Sequence, residues 1–163
     1  MSYLTGSGET LETLDDVVAR IKVFFDEAPE AEFEIMMGTD AQSYKKQTVY
    51  ATAIGVHRIS NGGIYFIQKY YVRGKGPYLY EKLLKETSLT ITLAEKLIPK
   101  LATLVKEHGY NIINIYADGD VSSTDGASEV MKPTVEGMFK AYGLKARTKP
   151  YAAAANSIAD RHC

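Results

Sequence analysis

The chain has 163 residues, 45% of them hydrophobic and 24% charged, a length and balance suited to one domain with a sizeable core. Lysine and arginine number 19 against 20 aspartates and glutamates, so the net charge is −1 and any contact with nucleic acid needs a local basic patch. The lone cysteine, Cys163, excludes an internal disulfide framework and a cysteine-based zinc site, and suits a reducing cytosol.

Met1 to Thr10 is polar and lacks the apolar core of a signal peptide. No run approaches the roughly 18 apolar residues of a membrane span, so a cytoplasmic location without a membrane partner is expected. Leu11 to Phe25 then reads as an amphipathic helix, because Leu11, Leu14, Val18, Ile21 and Phe25 recur at helical spacing. Thr13 and Asp16 form a capping-box pattern at its start, and Pro29 bars its continuation. This helix is read as an N-terminal extension covering about residues 11–27 of a single domain spanning 1–163.

Three strands are expected next: Phe33 to Thr39, Thr48 to His57 and Ile64 to Val72, rich in β-branched and aromatic residues. Their links are short and polar, and Ser60-Asn61-Gly62-Gly63 carries a hairpin signal, so they should form an antiparallel meander. A long helix follows over Tyr80 to Glu107, its apolar stripe running Leu83, Thr87, Ile91, Ala94, Ile98, Leu101 and Val105. Pro99 is expected to kink or divide it, and Gly109 to stop it. Asn111 to Ala117 is a fourth strand, Val130 to Tyr142 a helix ended by Gly143, Leu144 to Lys149 a fifth strand, and Ala152 to Arg161 a last short helix. A meander followed by two right-handed crossover units predicts an α/β fold: a five-stranded mixed sheet ordered 3-2-1-4-5, with helices on both faces.

Four acids stand out by position. Asp40 closes the first strand and Asp118 the fourth, and parallel neighbours would bring them together at the sheet edge where open α/β folds place ligands. Glu86 shares its helix face with Leu79, Leu83, Leu93 and Leu97, whereas Glu81 lines up with Lys85 and Ser88. An acid on an apolar face costs several kcal/mol unless paired or metal-bound, so Glu86 needs an explanation that Glu81 does not. Asp160 follows an alanine-rich run and shares a face with Asn156 and Ser157. Taken singly, each acid has an ordinary structural reading as a turn residue, cap or surface ion pair.

The motifs Gly38-Thr39-Asp40-Ala41-Gln42, Lys85-Glu86-Thr87, Ile115-Tyr116-Ala117-Asp118 and Lys149-Pro150 followed by Ala159-Asp160-Arg161 resemble the YkuK-type family of bacterial ribonuclease H-like proteins. The resemblance runs from about Leu11 to Arg161. It implies a ribonuclease H-like fold and a metal-dependent nuclease whose acids are Asp40, Glu86, Asp118 and Asp160, serving as catalytic groups and metal ligands. Asp120, two residues beyond Asp118, is the alternative fourth-strand ligand. Such acids would bind Mg²⁺ or Mn²⁺, hard cations that take carboxylate and water oxygens. Two such ions roughly 4 Å apart can hold the attacking and leaving oxygens of a phosphodiester.

Lys75, Lys149 and Arg161 are the candidates for substrate contact. Lys69, Arg73 and Lys75 lie among Tyr70, Tyr71, Tyr78 and Tyr80, a mixture that could grip a phosphate backbone and stack on bases. The plainer reading, preferred from sequence, is half-buried tyrosines with lysines guarding a sheet edge. His162 stands near Asp160 and is a candidate for proton transfer. Nucleic acid is therefore the expected partner, DNA or RNA left open, and a homo-oligomer is compatible with the sequence. The competing reading is a non-catalytic module of the same fold that binds nucleic acid or protein.

Overall fold

In the computed structural model, residues 1–59, 61–122, 126–149, 151 and 153–163 are described, the side chains of residues 122 and 153–156 excepted. Residue 60 of the expected turn, Pro150 and the Asn156 side chain thus lie outside the described residues.

The strands are β1 (Tyr3–Thr5), β2 (Thr10–Leu11), β3 (Glu32–Ser43), β4 (Gln47–Arg58), β5 (Gly63–Arg73), β6 (Asn111–Ser122) and β7 (Lys145–Lys149). The helices are α1 (Leu14–Asp26), α2 (Leu79–His108), α3 (Gly126–Glu129), α4 (Lys132–Ala141) and α5 (Ala153–Asp160). Together they form a mixed α/β sheet of seven strands, not the five expected, in the order β2-β1-β5-β4-β3-β6-β7. The added strands come from the polar N-terminal segment. There β1 pairs antiparallel with β5, Leu4 opposite Ile67, and β2 folds back on β1. Two to three residues carry almost no periodic signal, so this hairpin is held by pairing and by the burial of Tyr3 and Leu11 rather than by propensity.

β3 lies between β4, its antiparallel partner, and β6, its parallel partner. The C-terminal ends of β3 and β6 therefore meet at one edge of the sheet. Strand alternation sorts the core into two faces. Phe33, Ile35 and Met37 of β3 with Ile54 and Val56 of β4 pack under α1 and α2, in a cluster with Phe25, Leu97 and Leu101. The opposite face of β4, Ala51 and Ala53, is lined with small residues and receives Ala159 of α5. α4 covers the β6 end, where Val135 and Phe139 meet Ala117 and Val121.

α1 begins with the anticipated capping box: Asp16 N–H donates to Thr13 Oγ1 at 3.1 Å and Thr13 N–H to Asp16 Oδ2 at 2.9 Å. Pro99 does not divide α2, the second of the two outcomes expected of it; the proline lies on an exposed face, where water can satisfy the carbonyl it leaves unpaired. Gly109 ends α2 in the left-handed conformation, φ 73°. The helix expected over Val130 to Tyr142 is present as α4, and a short additional helix, α3, precedes it.

If the N-terminal hairpin completes the core, Tyr3→Ala and Leu11→Ala should each cost about 2 kcal/mol. For a chain of this length that lowers Tm by roughly 4–8 °C. Thermal melting by circular dichroism checks this, and an unchanged Tm would mean that the hairpin only decorates the edge.

Candidate functional site

The leucines that line α2 fix where Glu86 points. Leu83, Leu93 and Leu97 are buried, and Glu86, on their face, is only 3% exposed. Among the described residues neither carboxylate oxygen of Glu86 has a hydrogen-bond partner. The Lys82 ammonium, one turn earlier, approaches Oε1 to 3.7 Å, an ion-pair distance too long to satisfy that oxygen. Glu81 behaves as its polar face foretold: it is exposed and accepts the Tyr78 N–H at 3.2 Å.

The register of β3 against β6 decides which other acids join it. Gly38 is level with Asp118, so Asp40, two residues on, is level with Asp120. Asp40, Glu86 and Asp120 accordingly form one cluster, a carboxylate oxygen from each lying within 4.8 Å of the others. Burial, with the charge of Asp120 second, raises the Asp40 carboxyl to about 6. Burial also drives Glu86 to about 9; Lys82 opposes the shift and Asp40 and Asp120 add to it. Burial and mutual repulsion thus hold the Asp40 and Glu86 carboxyls toward their protonated forms, a repulsion that a cation or a proton between them would relieve.

Asp118 is placed differently from expectation. It is buried, and Arg147 of β7, its cross-strand partner, binds it bidentately through Nε at 2.7 Å and Nη2 at 2.8 Å. The same guanidinium lies 4.0 Å from the centre of the Tyr116 ring. Asp118 thus anchors β7 to β6, while Asp120 reaches the cluster. The β6–β7 pairing slips between Asp118 and Ser122, a bulge of the kind that re-aims side chains beside sites. Gly119 belongs to this device, since a Cβ there would lie 2.8 Å from Val135 Cγ1 and push the strand off α4.

Asp160 is exposed at the end of α5 and is not part of the cluster. Lys149 is placed at the site, its ammonium 2.6 Å from Asp120. Lys75 is exposed in the loop between β5 and α2, and Arg161 is exposed beyond α5. His162 lies near the Tyr65 ring, and burial, with the charges of Lys69 and Arg161, lowers its imidazole below the usual histidine range.

One feature escaped the sequence reading. Thr39 Oγ1 bonds Thr52 and Thr90 hydroxyls, each at 2.9 Å, and Thr90 Oγ1 donates to the Glu86 carbonyl at 3.1 Å. This buried chain of hydroxyls ties the α2 backbone at Glu86 to the residue before Asp40. Three threonines far apart in sequence give no local signal, although Thr90 stands one helical turn after Glu86.

The ribonuclease H-like family profile matches residues 16–163 of this chain. The chain is also 24% identical over 165 residues to "Uncharacterized protein YkuK" of Bacillus subtilis (strain 168), an alignment covering 94% of this chain and 92% of that protein.

The displaced Glu86 carboxyl predicts a pH dependence of stability. Between about 4.5 and about 9 the native state keeps a proton that the unfolded chain has released, so without cations stability falls as pH rises through that window. Glu86→Gln keeps the shape and removes the ionisation. In chelator at pH 8 this variant should melt several degrees above the wild type, with a flatter pH profile. A variant melting below the wild type there would show that the charged carboxylate is well solvated.

Proposed function

This chain belongs to the ribonuclease H-like family, and from that premise we propose that it is a divalent-metal-dependent phosphodiesterase acting on nucleic acid, with Asp40, Glu86 and Asp120 as cation ligands. The observation that carries the reading is Glu86. A buried carboxyl with neither oxygen hydrogen-bonded among the described residues, held toward its protonated form, is costly to ionise in an apoprotein and reasonable as a ligand. The donor set gathered among the described residues fits a hard cation: it is three carboxylates, the choice of Mg²⁺ or Mn²⁺ rather than zinc. Such an ion, when bound, supplies Lewis-acid polarisation of a phosphoryl oxygen and a more acidic bound water.

The chain's own groups do the rest. Asp40 and Asp120, level on adjacent strands, fix two ligand positions on rigid backbone, and the Thr39–Thr90 link fixes the third by setting the height of α2. Lys82 and Lys149 place positive charge around the acids, which offsets their repulsion and favours an approaching phosphate. Arg147 keeps Asp118 outside the ligand set.

That last contact also favours a second reading. Asp118, one of the acids implied by resemblance, is neutralised by a guanidinium, as suits a scaffold that binds without cutting. Two measurements separate the readings. Mg²⁺ or Mn²⁺ should raise Tm in the wild type and leave Asp40→Asn unmoved. With Mn²⁺, single- and double-stranded DNA and RNA should include a substrate whose cleavage falls about a hundredfold or more in Asp40→Asn, Asp120→Asn and Glu86→Gln, but not in Glu81→Gln. A cation-dependent Tm shift without cleavage of any of them establishes the scaffold reading, and an equal shift in wild type and Asp40→Asn places the ion elsewhere.

A further inference from the structure

Two loops project from the sheet edge that carries Asp40. One is the turn Tyr44-Lys45-Lys46 between β3 and β4; the other is Arg73 to Tyr80, leading from β5 into α2. They are clipped together, since Gly74 N–H donates to the Lys46 carbonyl at 2.9 Å. Gly76 lies so close to Ser43 that a Cβ would meet its side chain at 2.9 Å. Gly74, at φ 116°, holds a backbone conformation that suits glycine.

The sequence preferred half-buried tyrosines here; Tyr70 is half-buried, but Tyr71, Tyr78 and Tyr80 are exposed, and Tyr44 of the neighbouring turn joins them. Tyr71 is 55% exposed, Tyr78 78%, Tyr80 56% and Tyr44 49%. Lys45, Lys46, Arg73 and Lys75 are exposed among them, and the only acid beside them in either segment is Glu81, which follows Tyr80 and is engaged by the Tyr78 N–H. None of these four cations forms an ion pair among the described residues. In a chain of net charge −1, four uncompensated cations with four exposed phenol rings are a local concentration of one sign. Exposing four rings wastes burial that other tyrosines of the chain, such as Tyr50, obtain.

We propose that this joined pair of loops is a docking platform for single-stranded nucleic acid, its cations following the phosphates and its tyrosines stacking on bases. Stacking selects for single strands because a duplex hides the faces of its bases, whereas the cations alone would accept either form. The platform leads to the acid cluster: Asp40 precedes Tyr44 by four residues of extended chain, about 13 Å. The proposal rests on the phosphodiesterase reading for where the strand is delivered, but binding itself is measurable without metal.

The test is fluorescence anisotropy in chelator with labelled oligo-dT, oligo-U and a blunt duplex of equal length. Both single strands should bind at least tenfold more tightly than the duplex, and the two single-strand arms distinguish DNA from RNA. Tyr78→Ala and Tyr80→Ala, with unchanged Tm, should each weaken single-strand binding about tenfold. A Lys45→Glu, Lys75→Glu double variant should weaken it further and reduce its salt dependence. Lys106→Glu, an exposed charge reversal in the last turn of α2, should bind as well as the wild type. Equal affinity for duplex, tyrosine variants that bind normally, or no binding by the wild type would each overturn the platform. The cation-dependent Tm shift would then still stand or fall separately.

Discussion

A carboxylate buried against leucines organises this molecule's functional edge. Glu86 cannot leave the core without rotating α2 and exposing Leu83 and Leu93, and it cannot ionise there without a positive partner. Hydrophobic burial of the helix thus holds in place a group that burial itself penalises. Such a conflict between local chemistry and global packing marks functional sites more often than structural ones. Lys82 only moderates the conflict, since the Glu86 carboxyl still rises to about 9.

The remainder of the edge is built around that position. Parallel pairing of β3 with β6 delivers Asp40 and Asp120 at one level, and the threonine chain sets the height of α2 relative to β3. The Asp118–Arg147 pair and Gly119 fix the irregular stretch of β6 from opposite sides. Each contact belongs to the scaffold, yet each governs the geometry of three oxygens. Preorganisation of this kind lets one site hold several like charges close together, at the expense of stability when the site is empty.

Much of this was legible in the sequence. The long stripe of α2 separated Glu86 from Glu81 because a helix face is a local property of residues three, four and seven apart. Asp40 was legible as a candidate too, although it lies within β3, which runs on to Ser43, and not at the strand end expected. That Asp120 rather than Asp118 lies beside Asp40 and Glu86 was not, because it depends on which residue of β3 lies opposite and on a bulge, both properties of two strands at once. The N-terminal hairpin was hidden by its shortness, and the continuity of α2 through Pro99 by the fact that exposure decides a proline's effect. Nor could sequence say which tyrosines were covered: strand and loop tyrosines look alike until the sheet edge is in place.

The account's central claim is that Asp40, Glu86 and Asp120 share a cation. Anomalous diffraction at the manganese edge from crystals soaked in Mn²⁺ tests it directly. A peak within ligand distance of all three carboxylates, lost in Glu86→Gln crystals, is the predicted result. Manganese bound only at Asp160 or other exposed acids, with Glu86 still unliganded, would contradict it.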